Sequence, residues 1–123
     1  EGINKVYGTD IIIDIFTRKN VEHDLFLREL DTIQVKGRSQ GSQIFEVLAE
    51  QKNATESQKR LKLEYEAALE LYRKGEFGLA ENKFTSLHQS TNDLASKTMS
   101  ERCLEYIISP PENWLGIVVM KEK

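Results

Sequence analysis

The stretch best suited to bind a phosphate group lies at residues 30–38, with the sequence LDTIQVKGR. Alternation along a strand would place Ile33 and Val35 on one face, so that Lys36 leaves the strand end on the opposite, polar side. A lysine ammonium in that position can act as a point charge for a phosphate, and Gly37 lets the backbone approach a ligand closely. On residue type alone, a solvated lysine in a hairpin is the more ordinary interpretation.

The other residue types that do chemistry are scattered along the chain. His23 and His88 lie in different halves and belong to no spacing of histidine, cysteine and carboxylate that is typical of a metal site, so we expect surface histidines. Asp10 and Asp14 bracket a predicted strand and can in principle bind a cation, although capping of the strand end is the favoured role. The sequence contains no G-x-S-x-G, Walker or H-E-x-x-H motif. We therefore predict no catalytic and no metal-binding residue here.

The amino-acid composition argues against a disordered chain, a nucleic-acid-binding protein and a membrane-spanning segment. The chain has 123 residues, of which 39% are hydrophobic and 30% charged, and a formal net charge of -3, which together predict a folded chain. It lacks the basic stripe that nucleic-acid binding needs. Its single cysteine, Cys103, cannot form an internal disulfide and is interpreted as a small core residue. No apolar run approaches the ~20 residues of a membrane span, so we expect a soluble chain.

The first half of the chain predicts a short helix, a strand and a hairpin. The helix ends at Gly8, the apolar run at residues 10–14 is typical of a strand buried on both faces, and a brief helical turn follows. Residues 25–36 and 42–48 predict the two strands of a β-hairpin. A change of phase in the first of them indicates a bulge near Asp31.

The second half changes to a helical period. Residues 51–58 are polar and unpatterned and mark a boundary, after which apolar positions recur at helical spacing in residues 61–72, 77–87 and 94–108. The apolar face of the third helix is predicted to hold Ala95, Met99, Cys103, Tyr106 and Ile107. A final extended segment at residues 114–120 is expected to pack back on the body.

The helical hairpin at residues 61–87 resembles a tetratricopeptide unit, with Ala68 on its first helix, Gly75 in the turn and Ala80 on its second helix. Small alanines let two antiparallel helices approach closely. The hairpin either presents a groove to a peptide or to the rest of a larger protein, or simply packs on the sheet and caps it. An open concave face would favour binding, whereas a face filled by Trp114 and the tail would favour packing.

An ordered set of short motifs resembles the end of a class III adenylate/guanylate cyclase domain, and the helical half is similar to extensions found after bacterial cyclase domains. The cyclase motifs are residues 1–9 (EGINKVYGT), 10–13 (DIII), 30–31 (LD), 35–37 (VKG) and 44–48 (IFEVL). Those of the extension are residues 65–72 (YEAALELY), 101–103 (ERC) and 110–111 (PP), followed by Trp114 and Gly116. Together the resemblance spans nearly the whole chain.

The resemblance implies a mechanism. Two catalytic domains pair head to tail as a homodimer and bind ATP or GTP between them, with two Mg or Mn ions held by aspartates. The 3′-hydroxyl attacks the α-phosphate and pyrophosphate leaves, while an asparagine and an arginine stabilise the charge. The resemblance places all of those groups before Glu1. It assigns Lys36 to the nucleotide phosphates, with Arg38 as an auxiliary on the same face if the strand continues.

We therefore predict an α+β chain with a truncated cyclase-type sheet in residues 1–50, and a tetratricopeptide-like three-helix extension with a short C-terminal strand in residues 51–123. Because the chain begins with Glu1 rather than Met, we interpret it as a fragment, and we expect it to be inactive and without a cofactor of its own. The parent enzyme is expected to act in the cytoplasm or on the cytoplasmic side of a membrane. The alternative is a helical interaction or regulatory module without a catalytic role.

Overall fold

A computed structural model describes residues 2–120; Glu1 and residues 121–123, the outer ends of the two predicted parts, lie outside it. The described residues form an α+β fold, as predicted. In chain order the elements are α1 (Gly2–Tyr7), β1 (Ile12–Asp14), α2 (Ile15–Val21), β2 (Leu25–Val35), β3 (Ser42–Glu50), a 3-10 turn (Gln51–Asn53), α3 (Glu56–Arg73), α4 (Phe77–Thr91), α5 (Leu94–Ile108) and β4 (Val118–Met120). No helix within residues 2–120 combines the length and the apolar character that crossing a membrane requires.

The four described strands form one sheet in the order β1-β3-β2-β4. The β2–β3 hairpin is antiparallel, β1 pairs antiparallel with β3, and β4 joins the far edge parallel to β2. The pairing register of the hairpin shifts between Glu29 and Asp31, which leaves Leu30 as the extra residue of a bulge. The predicted bulge is confirmed, and its effect is to bury both Leu30 and Asp31.

Strand β1 corrects one expectation from the sequence. It was predicted to be buried on both faces, but among the described strands it pairs only with β3 and lies at the edge of the sheet. Ile11, just before it, is 54% exposed, and Ile12 and Ile13 are only half-buried. A run of isoleucines predicts an apolar strand, but it does not indicate whether other elements cover both faces of that strand.

Local signals mark the ends of the long helices, although α3 begins at Glu56, inside the segment predicted as an unpatterned boundary and five residues before the predicted helix. Thr55 and Gln58 form a reciprocal capping box at the start of α3, and Gly75, at φ +86°, turns the chain between α3 and α4. Asn92 ends α4 in the left-handed conformation, and the neighbouring Asp93 caps α5. The predicted face of α5 is buried over its first turns, but Ile107 near its end is 46% exposed, contrary to prediction.

The residues on either side of the predicted boundary share a single core. Tyr7, Leu30 and Ile44 from the first part pack in the same buried cluster as the inward faces of the three long helices. The largest contributors from those helices are Tyr65, Leu69, Tyr72, Phe84 and Met99. The hairpin of the sheet therefore folds against the helical part over a common apolar interior.

The C-terminal segment folds back along the helices before it joins the sheet. The indole of Trp114 packs edge-on against the rings of Tyr72, Phe77 and Tyr106, and its Nε1–H donates a hydrogen bond to the carbonyl oxygen of Tyr72 at 3.0 Å. Only residues 118–120 of the predicted extended segment form a strand. The expectation that this segment packs on the body is confirmed.

Candidate functional site

Lys36 is the first residue of the turn that joins β2 to β3. Strand β2 ends at Val35, and the Lys36 side chain is exposed. Its backbone N–H donates to the carbonyl oxygen of Met120 at 3.2 Å, and Gly37 adopts φ +92°, a conformation that glycine tolerates best. The backbone under the ammonium group is thus fixed while the group itself faces solvent. An exposed lysine at this position fits both a solvated hairpin lysine and a lysine that contacts phosphate, so the phosphate contact of Lys36 stays a prediction.

Arg38 does not lie on a continuing strand. The chain turns at Gly37, and the N–H of Arg38 donates to the carbonyl oxygen of Val35 at 2.9 Å, which closes the turn. Arg38 was expected on the same face as Lys36 if the strand continued, and this condition is not met, because a positive φ at Gly37 reverses the chain direction. Its exposed side chain instead lines a groove of about 420 Å³ beside the turn. The other lining residues include Ile3, Asp14, Phe16, Val35 and Ser39.

Asp14 is a carboxylate of this groove, and its role is structural. Its Oδ1 accepts a hydrogen bond from the backbone N–H of Thr17 at 2.8 Å, which caps the N-terminus of α2. The same hydrogen bond lowers the pKa of Asp14, so it is a carboxylate at neutral pH. Asp14 was predicted to cap the end of a strand; it is the last residue of β1 but caps the N-terminus of helix α2 instead.

The remaining candidate groups stay apart from the groove. His23 is exposed on the loop before β2, and His88 is half-buried near the end of α4. Within residues 2–120 no three histidine, cysteine or carboxylate side chains come close enough together to hold a metal ion. Cys103 is fully buried on α5, and burial raises the pKa of its thiol to about 12. Cys103 is the small core residue that the sequence predicted.

A buried cluster that sequence reasoning missed joins three elements of the fold. The carboxylate of Asp31 on β2 is fully buried and accepts hydrogen bonds from the Tyr7 hydroxyl on α1 and from Arg102 on α5, both at 2.6 Å. Its other oxygen accepts the N–H of Thr32 at 2.8 Å. Burial raises the pKa of Asp31, and the Arg102 charge acts in the opposite direction. The cluster fixes β2, which ends one residue before Lys36, against both helices.

A second buried cluster also joins β2 to α5, but here the cation is on the strand and the carboxylate is at the start of the helix. Arg28 on β2 forms a two-pronged ion pair with Asp93 at the start of α5, at 2.8 and 2.7 Å, and also pairs with Glu46 on β3. The Arg28 guanidinium lies over the ring of Tyr65, 4.7 Å from its centroid. Strand β2 therefore forms two ion pairs with α5 and its N-cap: Arg28 with Asp93, and Asp31 with Arg102. This pattern specifies a single register between strand and helix.

The sequence contained a weak signal for these clusters. Asp31 interrupts an apolar strand, and Arg28 stands three residues before it, where a strand that packs on helices would normally be apolar. A charged residue in such a position needs a partner, but the partners lie 65 and 71 residues away along the chain. Spacing alone does not identify them.

The inner face of the helical hairpin is covered. The Tyr65 hydroxyl on α3 donates to the carbonyl oxygen of Leu30 at 2.8 Å, so β2 lies against this face, and Trp114 covers its turn end. An open groove of about 610 Å³ lies instead between α3 and α4. Its lining includes Leu63, Ala67, Lys83, Ser86 and Leu87.

Comparison of the chain with protein-family models, with curated proteins and with solved structures gave no match. The features that bear on function are the sequence motifs, the exposed turn at Lys36 with its groove, and the two buried arginine clusters that hold β2.

Proposed function

We propose that this chain is part of a class III nucleotidyl cyclase, which converts ATP or GTP to a 3′,5′-cyclic nucleotide and pyrophosphate. The observation that carries the proposal is the placement of Lys36, whose exposed ammonium group stands on a hydrogen-bonded turn at the end of β2. The cyclase-like motifs on either side of Lys36 in the sequence also support the proposal. We further propose that the enzyme works as a homodimer on the cytoplasmic side.

Lys36 would contribute electrostatic stabilisation. The triphosphate carries several negative charges, and charge moves onto the pyrophosphate as the 3′-hydroxyl displaces it, so a cation held in place beforehand lowers the cost of that movement. Arg38, on the groove beside the turn, is close enough in sequence to add a second positive charge to the same region. Neither residue needs to transfer a proton in this role.

The resemblance implies two divalent ions, and within residues 2–120 no set of three metal-binding side chains comes together that could hold one. In the proposal they are held by residues that the resemblance places before Glu1. The chain by itself is accordingly expected to form no cyclic nucleotide from ATP or GTP with manganese, and product above a protein-free blank would contradict this expectation.

The exposed apolar side chains near β1 add support. Ile11 is 54% exposed, and Phe16, on the groove beside the Lys36 turn, is 72% exposed. Both side chains lie near the β1 edge of the sheet, where no further described strand pairs, and are available for contact with another part of an assembly. In the proposal, that surface packs against the remainder of the catalytic domain.

The experiment is a lysine substitution in the longer enzyme. Replacement of Lys36 by Ala removes a charged contact to phosphate, which is worth about tenfold or more in kcat/KM. Lys36→Arg keeps the charge and should recover part of the loss. The matched control is Lys52→Ala, because Lys52 is also exposed but lies on the 3-10 turn at the opposite end of the hairpin. Unchanged steady-state kinetics in Lys36→Ala would contradict the assignment.

The alternative function, a peptide-binding helical module, has less support. The inner face of the hairpin, which would have to be open, is covered by β2 and by Trp114. The contacts of Tyr65 and Tyr72 on this face are those of a packed interior. The helices are better explained as a support for the β2–β3 hairpin.

A further inference from the structure

We propose that the C-terminal segment at residues 117–120 is a positioning element for the Lys36 turn, and that it tunes nucleotide binding by holding that turn in place. The inference rests on the proposed function of Lys36. It assigns a role to a segment at the opposite end of the chain from the cyclase-like motifs. Four observations lead to it.

The end of β2 is held within the hairpin by turn hydrogen bonds alone, between Arg38 and the residues Gln34 and Val35. Pairing between β2 and β3 extends only as far as Ile33 and Ser42, so the last two residues of β2, Gln34 and Val35, have no partner on β3. A strand end that pairs with nothing frays, because its backbone gains freedom at little cost in hydrogen bonds. Lys36 follows directly on this unpaired end.

Strand β4 supplies the missing partner. It runs parallel to β2 and pairs Gln34 with Val119 and Val35 with Met120. The backbone N–H of Lys36 then donates to the carbonyl oxygen of Met120 at 3.2 Å. Among the described strands, β4 alone pairs with the two residues before Lys36.

The same segment also contacts the far side of the turn. Gly41 ends the turn, and a Cβ atom added there would lie 3.0 Å from Cδ1 of Ile117, so the Ile117 side chain packs directly against the Gly41 backbone. The turn at residues 37–40 is exposed, yet both of its ends touch the segment. Ile117 and Met120 therefore bracket the Lys36 turn.

The segment is in turn anchored on the helices. Gly116 is buried at φ +80° against the side chain of Arg73 on α3, and Arg73 donates hydrogen bonds to Glu29 and Thr32 on β2. Met120 belongs to the core cluster. The position of the Lys36 turn thus depends on contacts made by the helical part, through a segment of four residues.

The experiment uses the longer cyclase with its C-terminus intact or ended after Gly116, each with Lys36 or Lys36→Ala. Steady-state kinetics with the preferred nucleotide should show KM raised about three- to tenfold by the truncation, with a smaller change in kcat. Lys36→Ala should cost clearly less in the truncated enzyme than in the intact one, because the lysine there is no longer held. Hydrogen exchange of the peptide covering residues 34–41 should be faster after truncation.

If the truncated enzyme does not fold, two point variants of the intact enzyme test the positioning role instead. Ile117→Ala removes the contact with Gly41 and should raise KM about twofold or more, whereas Leu115→Ala, 80% exposed and outside residues 117–120, should leave KM unchanged. Trp114, the single tryptophan, lies before the cut, and its fluorescence reports whether the segment upstream stays packed.

The outcomes separate the two proposals. If Lys36→Ala impairs the intact enzyme while truncation and Ile117→Ala leave KM unchanged, or if the effects are additive, the positioning role is overturned and the proposed function stands. If Lys36→Ala has no effect in the intact enzyme, both proposals are overturned. A raised KM that is not additive with Lys36→Ala supports both.

Discussion

Asp31 and Arg102 lie 71 residues apart in the sequence, and an oxygen of the Asp31 carboxylate lies 2.6 Å from Nη1 of Arg102. The carboxylate is fully buried, and the Tyr7 hydroxyl donates to the same oxygen. One buried charge pair therefore ties α5 to β2 and, through Tyr7, to α1. Because β2 leads to Lys36, the packing of the helical part sets where the proposed phosphate contact stands.

Replacement of Arg102 by Met should destabilise the fold strongly, because it leaves the Asp31 carboxylate buried without its cation. Removal of one partner of a buried pair costs about 3–5 kcal/mol. The control is Arg60→Met, since Arg60 pairs with Glu64 on the exposed face of α3 and exposed pairs contribute about 1 kcal/mol or less. Urea unfolding of both variants measures the difference, and equal midpoints would contradict the buried role of Arg102.

The cost of Arg102→Met should also depend on pH. Burial raises the pKa of Asp31, and loss of the opposing Arg102 charge raises it further. A carboxyl group whose pKa is higher in the folded than in the unfolded state stabilises the fold at low pH, and that stabilisation is lost as pH rises through the folded pKa. The variant should therefore be less impaired near pH 4 than near pH 7. A constant difference in unfolding free energy across that range would contradict the explanation.

Asp93 should show the opposite dependence. Burial acts to raise its pKa, but the hydrogen bonds and charge of Arg28 outweigh that effect and lower it. Its stabilisation is therefore complete above the pKa of the unfolded chain, about 4, and is lost as pH falls through the lower folded pKa. Asp93→Asn should cost about 1–3 kcal/mol at neutral pH and progressively less below pH 4. Asp24→Asn, at an exposed position, is the matched control.

Gly8 is predicted to tolerate no side chain. It adopts φ +66°, and a Cβ atom there would lie 2.5 Å from Cβ of Leu94, where α1 meets α5. Left-handed strain and the close contact together predict a loss of about 2 kcal/mol or more in Gly8→Ala. Gly78→Ala, on α4 with open space around it, should be neutral or slightly stabilising. Thermal unfolding compares the two, and a silent Gly8→Ala would show that α1 does not pack as described.

Cys103 should resist thiol reagents in the folded protein. Its side chain is fully buried, and burial raises the thiol pKa to about 12, so the reactive thiolate is scarce at about pH 8. Labelling by a disulfide reagent should be at least about a thousandfold slower in the folded than in the unfolded chain. Rapid stoichiometric labelling without denaturant would contradict the buried position.

Sequence patterns predicted the elements of this fold because their signals are local. The helical period and the glycine at Gly75 each act within a few residues, and both appear in the structure where expected. The bulge near Asp31 was predicted for the same reason, since a change in alternation along one strand needs no knowledge of its partner.

The failures share a different cause. Ile11 was predicted to lie in a strand buried on both faces, but burial depends on which elements cover the strand. Arg38 was placed on the face of Lys36 if the strand continued, but the backbone angle at Gly37 turns the chain there. Ile107 was placed on the buried face of α5, yet nothing among residues 2–120 covers that end of the helix enough to bury it. Periodicity predicts which residues share a face of a helix or strand, but it does not predict which element packs against that face.

The sequence by itself determined the α+β class and the order of the elements, and it identified Lys36 as the candidate phosphate-binding residue. Tertiary structure alone decided that Arg102 meets Asp31, that Arg28 meets Asp93, and that β4 pairs with the end of β2 next to Lys36. The physical reason is distance along the chain. These contacts join segments many residues apart, and they form only when the shared apolar core has brought those segments together.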